Sequence, residues 1–254
     1  MNPAQARFGW RFWLLTLVSV VVMGGTAALG FWQLSRATQK QAMQAAIDER
    51  QRMAQLVDGD LLRARAGGVT ALLHRSVLLS GEWLPEATVF LDNRQMQGRA
   101  GFWVLTPLRL RGNQGVVLVQ RGWAPRNFLE RTQLPGIVTP AGDVQLQGRI
   151  AGNVARLYEF APAGKGEGAS RIRQNLDLGA YGAELGLPLL PLIVIQTDAA
   201  SDGLRRDWAP VDTGVDKHYG YAFQWFGLCG LVVVLYVWFQ FVRRLPFHGA
   251  RPGA

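Results

Sequence analysis

Two stretches without a single charged residue constrain this chain more than anything else in it: Phe12–Trp32 (FWLLTLVSVVVMGGTAALGFW) and Tyr219–Val242 (YGYAFQWFGLCGLVVVLYVWFQFV). A helix over either is about 30 Å long or longer, enough to cross the hydrocarbon core of a bilayer. No other segment comes close, so two membrane spans are expected. Arg7, Arg11 and Thr26-Ala27-Ala28 give the first run some features of a cleaved signal peptide. Its apolar core is longer than the roughly 7–15 residues of such a signal, which favours a retained anchor. Trp10, Trp13, Phe31 and Trp32 flank the first run, and Tyr219, Tyr221, Trp225, Tyr236 and Trp238 mark both ends of the second. Rings in those places suit the headgroup layers.

Charge then sets the expected orientation. All 18 acids lie between the two runs, whereas the tails hold Arg7, Arg11, Arg243, Arg244 and Arg251 and no acid. Basic, acid-free tails favour the cytoplasm, although Arg36, Lys40, Arg205, Arg206 and Lys217 sit on the other flanks. The expected organisation is a tail (1–11), a span (12–32), an extracytoplasmic domain (33–218), a second span (219–242) and a tail (243–254). The net charge of +9 is dispersed. Dispersed charge argues for acidic lipid headgroups and against nucleic acid. Cys229 is the sole cysteine, which excludes an intrachain disulfide and a cysteine-cluster metal site.

The middle of the chain opens with Ala, Gln, Arg and Met in abundance, and Met43, Ala46, Ile47, Met53, Ala54 and Val57 recur near helical spacing. A helical extension over 33–65 is expected, ended by Gly67-Gly68. From His74 onward the pattern becomes β. Leu78-Leu79 with Trp83, Ala87–Leu91, Phe102–Arg111, Val116–Arg121, Val144–Ile150 and Leu192–Gln196 read as strands. Gly112–Gly115 reads as a hairpin connection. Leu176–Leu185 reads as a short helix held off from the last strand by Pro188 and Pro191, and Ala161–Ser170 as a glycine-rich loop. The fold class expected is membrane α+β: two transmembrane helices flanking a mainly antiparallel β domain with minor helix.

Enzyme motifs are scarce. HExxH, GxSxG and CxxC are absent, and Gly164-Lys165-Gly166 lacks the spacing of a phosphate loop. Asp92, Asp143, Asp198 and Asp207 could pair as acid and base, but their spacing does not say so. His74, His218 and His248 are too scattered for a local metal motif. The unusual position is His218 in Asp216–Gly227 (DKHYGYAFQWFG), at the lip of the second run. Its ring could ligate a metal or haem iron with Tyr219, Tyr221, Phe223 and Trp225 as an aromatic wall, or it could be an amphipathic boundary anchor. Arg94, Arg99 and Arg121, in a glycine-punctuated strand region, could clamp carboxylates, haem propionates included, or simply face water.

An ordered set of short pieces carries a resemblance. Leu29-Gly30-Phe31-Trp32-Gln33 with Arg36 and Lys40 comes first, then Leu91-Asp92-Asn93-Arg94, Thr106-Pro107-Leu108 and Arg121-Gly122-Trp123-Ala124-Pro125. Arg173-Gln174-Asn175 and Lys217–Phe226 (KHYGYAFQWF) complete it. With the two-span layout, the chain resembles the surfeit locus protein 1 family of membrane assembly factors for haem-copper cytochrome c oxidase. Gln120 and Ala124 depart from that pattern, where Asn and Val are common, and leave the strand alternation intact. The resemblance implies a non-enzymatic protein that binds haem a and helps place it in the oxidase's catalytic subunit. His218 matches the family's histidine and becomes the candidate axial ligand, with Tyr221 and Trp225 as candidate haem contacts. The catalytic subunit, haem a synthase and membrane lipids are the implied partners. The absence of an Arg- and Ser-rich amphipathic leader points to a bacterial inner membrane with both termini cytoplasmic. Asp216, two residues from His218, is a poor partner for its ring on a helix. The competing readings are a scaffold that holds an oxidase subunit without cofactor, with Gly24-Gly25, Gly227 and Gly230 allowing close helix packing, and a membrane-anchored enzyme.

Overall fold

A computed structural model describes residues 9–113, 115–130, 133–158, 170–200, 202–209 and 214–244. The expected glycine-rich loop (161–170), apart from Ser170, and most of both tails lie outside them. The chain divides into two compact units: Met1–Ala45 with Val211–Ala254, and Ala46–Pro210.

The first unit is built on two long helices. Helix α1 (Trp10–Arg52) has 43 residues, so it is about twice as long as a hydrocarbon core is thick, and its outer half is polar. Helix α4 (Val215–Gln240) has 26. Both are long and apolar enough to cross a membrane. Along α1 the sheltered positions include Phe12, Thr16, Ser19, Met23, Thr26, Gly30, Gln33 and Ala37, spaced by threes and fours, while Leu14, Val21 and Phe31 are exposed. On α4, His218, Ala222, Trp225, Cys229, Val232 and Tyr236 repeat the same spacing. That period defines a seam between two helices rather than a face against a globular core.

The expected single extension over 33–65 is interrupted. After α1 ends at Arg52 the chain makes a two-residue strand β1 (Leu56–Val57) and a separate helix α2 (Asp58–Gly67). Asp60 accepts the Val57 amide at 3.1 Å, and Asp58 accepts the Ser80 amide at 3.0 Å, so the first turn of α2 is tied back to β1 and across to β2.

The second unit is a sheet of β1, β2 (Ser76–Trp83), β3 (Val89–Met96), β4 (Arg99–Leu110), β5 (Val116–Pro125), β6 (Asp143–Ala151), β7 (Ile172–Arg173) and β8 (Leu189–Gln196). Its order is β1-β2-β6-β8-β5-β4-β3-β7, and β2 also pairs with β4. That extra pairing closes β2, β6, β8, β5 and β4 into a five-stranded barrel. The sheet is therefore not plainly antiparallel: β1–β2, β3–β7 and β5–β8 are parallel pairs. Val77, Leu79, Leu108, Leu110, Val117, Val119, Leu146, Ile150, Leu192 and Val194, alternate residues of all five strands, form one buried cluster that fills the barrel. On the outer wall, helix α3 (Leu178–Leu185) packs Leu178 and Tyr181 on Leu105, Leu118 and Ile193. Asp177 caps that helix, accepting the Ala180 amide at 2.9 Å.

Two local devices shape the barrel. Gly81 lies where β2 closes onto β4; a Cβ there would come 2.1 Å from the Arg109 carbonyl oxygen. In β5 the register against β4 jumps from Gly122↔Val104 to Gln120↔Leu105, leaving Arg121 as the extra residue of a β-bulge. Pro191 lies inside β8 rather than before it. It sits where the β5–β8 register is irregular, so its missing N–H breaks no regular ladder.

Candidate functional site

Helices α1 and α4 meet antiparallel along their seam. Thr16 Oγ1 and the Tyr236 hydroxyl are 2.9 Å apart, and Cys229 Sγ donates to the Met23 carbonyl at 3.6 Å. Phe226 lies over Gly30, where a Cβ would stand 2.7 Å from the ring, and meets Phe31 edge-to-face with centroids 5.2 Å apart. Glycine at position 30 is thus a packing requirement. The other glycines considered for helix packing, Gly24, Gly25, Gly227 and Gly230, have nothing within 4 Å of where a Cβ would lie. They face away from the seam.

The next step of the same seam brings Gln33 to His218. The Gln33 side-chain carbonyl is 2.8 Å from His218 Nδ1. A carbonyl oxygen only accepts, so Nδ1 is the donor in this contact. No described residue is hydrogen-bonded to Nε2. The imidazole is half-buried, and the protein holds it through Nδ1. A hydrogen bond at one ring nitrogen is how proteins orient an imidazole that ligates a metal through the other. The orienting group is therefore Gln33, 185 residues away, and not a neighbour of His218 in sequence.

Helix α4 begins at Val215, so Asp216 and Lys217 occupy its first turn together with His218. At about 100° per residue, Trp225 and Tyr221 lie roughly 20° and 60° from His218 around the axis, whereas Tyr219 and Phe223 point roughly 100° and 140° away. Trp225 is half-buried and Tyr221 is 53% exposed. The imagined wall of four rings thus reduces to Tyr221 and Trp225 on the histidine's side.

The arginines of the barrel unit serve its own structure. Arg94 is 3% exposed, donates to the Gln174 carbonyl at 2.8 Å and Asn175 Oδ1 at 3.2 Å, and stacks on Trp103 at 4.6 Å. Trp123 Nε1 donates back to the Arg94 carbonyl at 2.8 Å. The bulge turns Arg121 inward over Trp83, where it donates to Asp202 at 3.0 Å, Thr139 at 2.8 Å and the Val138 carbonyl at 2.9 Å. Burial pulls both guanidiniums below their ordinary basicity. Arg94 and Arg121 neither face water nor reach an external carboxylate. Arg99, at the start of β4, is exposed.

The four aspartates considered as acid–base partners each bond to a cation or an amide: Asp92 to Arg126, Asp143 to Arg111, Asp198 to Arg206 and Asp207 to Gln97. Among the described residues no three His, Cys, Asp or Glu side chains gather as a metal site.

Some of the short pieces of the resemblance therefore meet within each unit. Arg94, Trp123 and Gln174-Asn175 lock the barrel unit, and Gly30 and Gln33 meet Phe226 and His218 on the helical hairpin. A model of the SURF1 family matches residues 20–230. The chain belongs to the SURF1 family. Three relatives named SURF1-like protein show how diverged the family is. One from Rickettsia bellii is 25% identical over 88% of this chain and 88% of its own. One from Drosophila melanogaster is 25% identical over 92% of this chain and 79% of its own. One from Monosiga brevicollis is 25% identical over 95% and 90%. The match includes Met23, Gly30, Gln33 and Ala37 of α1, His218, Ala222, Trp225 and Cys229 of α4, and the whole barrel.

Proposed function

We propose that this SURF1-family chain is a membrane-anchored assembly factor for haem-copper cytochrome c oxidase that carries haem a on His218 and delivers it to the catalytic subunit. The observation that carries the cofactor part is the Gln33–His218 hydrogen bond, which fixes the ring through Nδ1 and leaves Nε2 outside any hydrogen bond among the described residues. Haem a is cargo in this reading: a single protein-supplied imidazole holds its iron and lets it go, where two opposed ligands would retain it. Tyr221 and Trp225 offer apolar surface to one side of the macrocycle. The two apolar helices hold the site at the membrane surface of a bacterial inner membrane, both tails cytoplasmic, with the barrel unit on the outer side. Haem a synthase is the natural donor and the oxidase's catalytic subunit the acceptor.

The test is the visible spectrum of protein purified in mild detergent from cells that make haem a. His218→Ala should lose the bound haem. Gln33→Leu should weaken binding roughly 10- to 100-fold, the usual cost of losing a group that orients a ligand. Unchanged haem content in His218→Ala would overturn the assignment.

A second reading keeps the assembly role without cofactor. Gly24, Gly25, Gly227 and Gly230 are open on the outside of the hairpin, where a partner's helix could approach closely. Crosslinking to the catalytic subunit that is indifferent to His218, from a protein that never carries haem, would favour it.

A further inference from the structure

The barrel's outer wall carries a cavity of about 350 Å³ that the family reading does not use. Its floor is three adjacent strands: Arg149 of β6 stands opposite Ile195 of β8, and Ile195 opposite Gln120 of β5. These side chains point outward, because their neighbours Ile150, Val194 and Val119 fill the barrel. Trp103 and Trp208 form one wall, edge-to-face with centroids 6.3 Å apart. Trp208 is fixed in turn, since its Nε1 donates to the Gln196 carbonyl at 2.7 Å.

What marks this cavity is its cation. Arg121, Arg126, Arg173 and Arg206 each have a carboxylate within a salt bridge. Arg149 has none among the described residues, yet burial alone pulls its guanidinium below its ordinary basicity. Its charge is felt at His74 as well, so the local field is positive. A desolvated guanidinium without a counter-charge is costly, and a bound anion relieves that cost. Elsewhere the cavity offers apolar and aromatic surface, with Gln120 and Asn153 as the uncharged polar groups. The volume is that of a small-molecule pocket.

We infer that this cavity is a binding site for a small amphipathic monocarboxylate, its carboxylate on Arg149 and its flat apolar body on Ile193, Ile195, Trp103 and Trp208. One fork-shaped donor pairs with one carboxylate. Gln120 donates to the same group or to a polar substituent on the body. The site lies wholly within the barrel unit and is independent of His218.

The probe pair is 2-naphthoate and 2-naphthamide, which share a body and differ in charge. Equilibrium dialysis uses the full chain in nanodiscs, with empty nanodiscs as blank. The naphthoate should bind saturably at one site per chain, roughly tenfold or more tighter than the amide, since hydrogen bonds to ionised groups are the stronger kind. Arg149→Gln should bring the naphthoate down to the level of the amide. Ala155→Glu, at an exposed position on the rim, should do the same while leaving circular dichroism and the thermal midpoint unchanged. Equal affinity for the two probes, no saturable naphthoate binding, or binding that survives Ala155→Glu would each overturn the proposal.

Discussion

Asp202→Asn probes the most constrained charge in the barrel unit. Asp202 Oδ2 accepts from Arg121 at 3.0 Å and from Arg206 at 2.8 Å. The side chains of Arg121, Arg206 and Asp202 are 1%, 5% and 8% exposed. One carboxylate therefore bridges two buried guanidiniums, and Arg206 has a second acid in Asp198 at 3.5 Å. Both are pinned by other bonds, Arg121 to Thr139 and Val138, Arg206 to the carbonyls of Arg121 and Ala199. Neither can swing out to water when the charge disappears. Breaking a buried pair on one side costs about 3–5 kcal/mol. For a unit of this size each kcal/mol moves the midpoint about 2–4 °C, so a fall of roughly 6–20 °C is expected. Thermal unfolding followed by tryptophan fluorescence reads it, because Trp83 lies under Arg121 at 4.7 Å. Arg121→Met should cost less, since Asp202 keeps Arg206. If Asp202→Asn stays within about 1 kcal/mol of the parent, the triad is not holding the bulge and the reasoning fails.

Two further outcomes follow from single positions. Burial, with Arg149 and Arg50 nearby, holds the His74 imidazole below its ordinary 6.5. The unfolded chain then takes up a proton that the folded chain refuses, so stability present above 6.5 is lost as pH falls towards the depressed value. His74→Asn, which keeps a residue tolerant of φ 69°, should show a smaller drop in urea midpoint between pH 7 and pH 5 than the parent. Gly122→Ala should destabilise by about 1–3 kcal/mol, because its Cβ would meet Leu204 Cβ at 2.5 Å beside the Trp123–Arg205 bridge. Gly136→Ala, with open space around it, is the control and should leave the urea midpoint in place.

Some of this molecule is legible in the sequence because it depends on local spacing. The two apolar runs, the alternation of Val144–Ile150 and the turn at Gly112–Gly115 each announce themselves within a few residues. Barrel closure does not, because it depends on β8 running parallel to β5 and antiparallel to β6, partners far away along the chain. Pro191 misleads for the same reason: its missing donor matters only once the irregular register opposite is known. The arginines look alike in sequence, and only the bulge decides that Arg121 turns inward. His218 stood out through its place at the edge of an apolar run. Gln33 did not, although it is the first polar residue on the α1 seam beyond the apolar run, which is the signal that would have found it.

The wedge position of β8 bears on the order in which the protein is made. β2, β4, β5 and β6 can pair without it, but they leave β5 and β6 with open edges, and unpaired edges invite pairing with other chains. Those edges persist until Leu189–Gln196 has been synthesised, and only the segment up to Val215 then separates the barrel from its second long helix. Interruption shortly before Leu189 would release a chain with two sticky edges. Interruption after Gln196 would release a closed barrel on a single helix.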